Sequence, residues 1–137
     1  MNINVMWCAF HCTDKLDKNG VIGAYDNMKT RLEALKGTYP KAVLLIDLHS
    51  SDVGDGATLT VGAHDGDGWT ENLTLALAVC RRMQLDGCAL RLLPSAVGQD
   101  NGMLSIHLGI GGDDKEVESS SAALDAFVKA ILEMCKR

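Results

Sequence analysis

The chain is short of aromatic side chains and short of positive charge. Aromatics make up 4% of the 137 residues, and the six of them (Trp7, Phe10, Tyr25, Tyr39, Trp69 and Phe127) are dispersed, so no row of stacking platforms for bases or sugars is at hand. Lysine and arginine total 13 against 18 aspartates and glutamates, a net charge of -5, with no basic cluster beyond Arg81-Arg82. A phosphate backbone finds no electrostatic footprint here, and nucleic acid is not expected as a partner. No apolar run approaches the roughly 20 residues that span a bilayer. Met1-Asn2-Ile3-Asn4-Val5 has neither the basic start nor the apolar centre of a secretory signal. A cytoplasmic protein away from membranes is the expectation. The five cysteines (Cys8, Cys12, Cys80, Cys88 and Cys135) are an odd number, which fits thiols in a reducing compartment better than a disulfide framework.

What is there is ordinary globular material. A hydrophobic fraction of 47% with 23% charged residues lies far from the composition that keeps a chain disordered. At this length one domain, 1–137, is expected, burying roughly 65 to 70% of the surface of the unfolded chain. Ile3 to Phe10 reads as a strand, followed by a polar loop with an Asn19-Gly20 turn signal. From Ile22 the apolar positions Tyr25, Met28, Leu32 and Leu35 recur at helical spacing, with Gly37 as a left-handed cap and Pro40 as a stop. Ala42 to Leu48 is a continuous apolar run, expected at the centre of the sheet and in a hairpin with Ala57 to Ala63, whose Leu59 and Val61 face the core. Thr70 is a candidate N-cap with Glu71 at the positive end of the helix dipole. The helix they open, to Asp86, is apolar around most of its circumference and is expected to be the most deeply buried, so that Leu77→Asp would unfold the protein. Cys88 to Leu93, ending at Pro94, and Met103 to Ile110 read as a second hairpin. A last helix opens at Ser119 to Ser121, with Leu124, Phe127, Ile131 and Met134 in its stripe. The order β-α-β-β-α-β-β-α predicts an α+β fold with a mixed or antiparallel sheet of about five strands and three helices. An apolar end strand at Met103 to Ile110 would need protection, which suggests a homodimer.

Few residues combine into chemistry. Cys8-x-x-His11-Cys12 offers three ligands where structural zinc needs four. Asp65-x-Asp67-Gly68 opens like a calcium loop, but Trp69 and Ala76 stand where oxygen ligands are required. Gly109-Ile110-Gly111-Gly112 follows a strand, yet Asp113 and Asp114 beyond it would repel a phosphate. Ser50-Ser51 after His49 lacks the glycines of a nucleophile elbow, and Cys12 beside His11 lacks an orienting third group. One constellation remains: His49 at the end of Ile46-Asp47-Leu48-His49, Glu71 opening a helix, and His107 in Leu104-Ser105-Ile106-His107. Two imidazoles and a carboxylate hold a catalytic zinc with an open water position.

With those residues, Val43 to Leu108 resembles the zinc-dependent N-acetylmuramoyl-L-alanine amidases, which carry a histidine after the first strand, a glutamate opening the next helix and a Ser-Ile-His strand. The resemblance implies a zinc hydrolase with His49, Glu71 and His107 as ligands. The chain departs from that pattern in three ways. Leu48-His49-Ser50-Ser51 replaces the family's glycine-rich turn, Pro94 to Met103 compresses the long segment before its second histidine, and forty residues precede the first strand. The expectation is therefore a small acidic domain without cofactor or metal, non-catalytic, that binds a protein or a small molecule. The alternatives are the zinc hydrolase and an inhibitor or immunity-type protein that meets its partner through electrostatic steering.

Overall fold

Three helices and four strands follow one another in the computed structural model, which describes residues 20–51, 56–62, 68–83, 88–94, 99, 101–111 and 117–136. The elements are α1 (Gly20–Thr38), β1 (Leu44–Ser51), β2 (Gly56–Gly62), α2 (Trp69–Met83), β3 (Ala89–Leu93), β4 (Leu104–Gly111) and α3 (Val117–Cys135). The strand expected at Ile3 to Phe10 lies outside the described residues, as do Cys8, His11, Cys12, Asp65, Asp67 and Gly112.

The strands form one mixed sheet in the order β1-β4-β2-β3. β4 runs parallel to β1 and antiparallel to β2, and β3 runs parallel to β2. This is the expected α+β fold, with neither of the expected hairpins. β4 lies between β1 and β2, and α2 crosses over to set β3 parallel to β2, as a helical connection between neighbouring strands does. The expected centre is also displaced. The apolar run at β1 ends the described sheet, with Ile46 and Leu48 exposed, while Ser105, Ile106, His107 and Leu108 of β4 are buried. Because β4 is an inner strand, the edge argument for a homodimer does not apply to it.

Period-two alternation gives the sheet one apolar face. On it Ala57, Leu59, Val61, Ile106 and Leu108 join Leu75, Ala76, Val79 and Met83 of α2 and Ala123, Phe127 and Ala130 of α3 in a single buried cluster. The α2 stripe, Asn72, Leu75, Ala76, Val79 and Met83, has helical spacing, and so has that of α3. Leu77 falls off the stripe and is 42% exposed, so burial of the whole α2 circumference does not hold. Trp69 already belongs to the helix, and Asn72 N–H bonds the Gly68 carbonyl at 3.1 Å; Thr70 is thus an interior first-turn residue rather than the cap. Likewise α1 continues through Gly37, and its end is closed by Tyr39 N–H on the Leu35 carbonyl and Thr38 Oγ1 on the Ala34 carbonyl.

β2 and β4 splay apart at one end. Their ladder stops at Thr60 opposite His107; two residues further the same register would set Gly62 against Ser105. Both N–H groups go to side-chain amides instead. Gly62 N donates to Gln99 Oε1 at 2.9 Å, and Ser105 N donates to Asn72 Oδ1 at 2.7 Å. Gln99 Nε2 also donates to the Thr60 carbonyl at 2.8 Å. The carboxamide of Gln99 thereby bonds the backbone on either side of Val61 as a neighbouring strand would. Asn101 ties the approach to β4, accepting from Met103 N and donating to Ser105 Oγ, and Lys36 of α1 donates to the Asn101 carbonyl.

Candidate functional site

The second face of the sheet is polar, and its residues stand in transverse register. Asp47 pairs with His107, His107 with Thr60, and Thr60 with Arg91, so one row of polar side chains crosses all four strands. Paired residues share a face. The adjacent row is His49, Gly109, Thr58 and Ala89 by the same register. Gly109 and Thr58 of that row are buried. Thr58, Thr60 and His107 are buried, whereas His49 keeps 46% of its side chain exposed and Asp47 22%. The row therefore grades from an accessible end on β1 to a buried interior on β4 and β2.

At the accessible end, His49 Nδ1 lies 2.9 Å from Asp47 Oδ1. The two are neighbours on one strand face because they are two residues apart. With its proton on Nδ1, His49 donates to the carboxylate and keeps an acceptor at Nε2, the usual way in which a carboxylate fixes the tautomer and direction of an imidazole. The His49 and His107 rings meet edge to face, with centroids 6.3 Å apart and planes at 84°. His49 lies within β1, and His107, although on the polar face, is 7% exposed.

Glu71 is elsewhere. It borders a shallow, mainly apolar hollow with Thr70, Thr74, Leu75, Ala78, Leu104 and Met134. Leu104 and His107 are an odd number of positions apart on β4 and so project from opposite faces of the sheet. Glu71 is fully exposed, and a hydrogen bond from Thr70 Oγ1 at 2.8 Å, followed by a bond to the Glu71 backbone, holds its carboxyl below the ordinary 4.5. Of the three residues that the amidase resemblance proposes as ligands, the structure brings two together and leaves the third on the far side. They do not fit one zinc ion, and no group of three or more His, Cys, Asp or Glu side chains among the described residues is placed to hold a metal. Asp47, Thr60 and Arg91 were not singled out by sequence reading; the signal available was the alternation of Asp47 with His49, whereas the register that aligns the row depends on non-local pairing. No helix among the described residues is long and apolar enough to cross a membrane. No protein-family model matches the chain, and neither a curated protein nor a solved structure does.

Proposed function

We propose that this chain is a non-catalytic binding domain of the cytoplasm that takes a small polar molecule on the polar face of its sheet, at His49 and His107. The observation that carries the reading is the pair of imidazoles in edge-to-face contact, one of them aimed by Asp47, at the exposed end of a polar row. Ligand sites are built this way, from a few convergent polar groups on rigid elements. His49 Nε2 accepts a donor of the ligand, and Asp47 fixes that acceptor. Glu71 has no part in this binding.

A thermal-shift screen of polar metabolites against the wild type, His49→Ala and Glu71→Ala tests it. The reading expects ligands that raise the melting temperature of the wild type and of Glu71→Ala but not of His49→Ala. Ligands that stabilise His49→Ala as well would place the site elsewhere. Zinc bound in stoichiometric amount and lost on Glu71→Ala would return the hydrolase reading.

A further inference from the structure

On the helix-covered side of the molecule, two cysteines meet. Cys80 lies near the end of α2 and Cys88 immediately precedes β3. Their Sγ atoms are 3.0 Å apart, Cys80 Sγ is 3.9 Å from the Cys88 carbonyl, and Cys88 Sγ is 3.8 Å from Met83 Sδ. Both cysteines are partly exposed, so a small solute reaches them. α2 is fixed by the buried stripe of Leu75, Ala76, Val79 and Met83, and β3 by its ladder to β2. The sulfurs therefore face one another between the end of α2 and the start of β3.

We propose that Cys80 and Cys88 form a redox modification site, in which hydrogen peroxide converts the dithiol to a disulfide that a reducing dithiol reopens. In the first step the Cys80 thiolate attacks peroxide: an S–O bond forms, the O–O bond breaks, and the departing hydroxide takes up a proton as water, leaving a sulfenic acid. In the second, the Cys88 sulfur attacks the Cys80 sulfur; the S–S bond forms, the S–O bond breaks, and hydroxide leaves as water with the Cys88 thiol proton. Two thiols lose two electrons and two protons in all, and one peroxide becomes two waters. The order follows from the surroundings of Cys88. Burial first, then its contact with Cys80, raises that thiol, which makes Cys88 the poorer attacker of peroxide and the partner that resolves, giving up its proton as the S–S bond forms.

The test uses the full chain with Cys8, Cys12 and Cys135 replaced by serine, treated with equimolar peroxide, alkylated and mapped by peptide mass. The same map on the wild type resolves the pair should that variant fold poorly. The expected result is a Cys80–Cys88 cross-linked peptide, protection of both thiols from alkylation, recovery by dithiothreitol, and a melting temperature several degrees higher, because the cross-link restricts the unfolded chain. Cys88→Ser should leave Cys80 as a sulfenic acid that dimedone captures, and Cys80→Ser should abolish both products. Alkylation of both thiols after peroxide, or a dimedone adduct on Cys80 with Cys88 still present and no cross-link, would overturn the proposal.

Discussion

Replacing Gln99 with alanine tests how the sheet is closed at its splayed end. The Gln99 side chain is 2% exposed and makes two bonds to strand backbone, at 2.9 Å from Gly62 N and 2.8 Å to the Thr60 carbonyl. Removing it leaves one donor and one acceptor in a buried place, at about 1–3 kcal/mol each. Release of an ordered glutamine side chain returns roughly 1.5–2 kcal/mol, so with about 2 kcal/mol for each orphaned group the net loss is about 2 kcal/mol against a typical total of about 5–15. Urea unfolding should show a lower midpoint with an unchanged slope, since the compactness of the fold is not altered. Gln99→Glu adds a second arm. Its carboxylate still accepts from Gly62 but faces the Thr60 carbonyl, an acceptor, so the native state favours the protonated form and the folded pKa rises above the unfolded value of about 4.3. That variant should be closest to wild type in acid and lose stability as pH rises through its folded pKa. A loss under about 0.5 kcal/mol for Gln99→Ala, within the range of an ordinary surface change, would show that the carboxamide does not stand in for a strand, and the account of the splay would fall.

Val79→Asp should unfold the protein, because Val79 is fully buried in the α2 stripe and an unpaired charge there costs several kcal/mol; Leu77→Asp, two positions away and exposed, should change stability by no more than about 1 kcal/mol. Circular dichroism melts of the two variants compare them directly. The Glu71 carboxyl should titrate below 4.5 by NMR and move upward in Thr70→Val, because the Thr70 hydroxyl is the largest cause of its depression. A depressed carboxyl stabilises the fold above its unfolded pKa and loses that contribution as pH falls through the folded value, so Thr70→Val should flatten the stability profile on the acid side of 4.5. An unmoved Glu71 titration in Thr70→Val would remove the assigned cause.

Local periodicity carried much of this fold, and pairing did not. Leu59 and Val61 on the core side of β2, and Phe127 in the stripe of α3, follow from alternation and helical spacing alone, and the structure has them buried. The hairpins failed because adjacency in sequence says nothing of a strand arriving later: β4, some forty residues beyond β2, inserts between β1 and β2. The apolar run at β1 was a poor guide to centrality, since Val43, Ile46 and Leu48 of it are exposed at an end of the described sheet. β4, with its serine, histidine and glycines, looks less like a core strand but is buried on both faces. The same gap limited the site. His49 and His107 were legible as candidates, each at a plausible strand position, but the partnership with Asp47, the row through Thr60 and Arg91, and the exile of Glu71 all depend on register across strands. Gln99 and Asn72 were invisible because their role is to fill a gap that exists only once β2 and β4 diverge.

The most direct test of the central claim is an NMR titration of the four imidazoles (His11, His49, His64 and His107) with whichever polar molecule the thermal screen yields. The account predicts that the His49 and His107 ring resonances shift together and saturate at one binding constant, that Asp47→Asn weakens that constant, and that His11 and His64 do not follow the same curve. Saturable binding with His49 and His107 unmoved would contradict it.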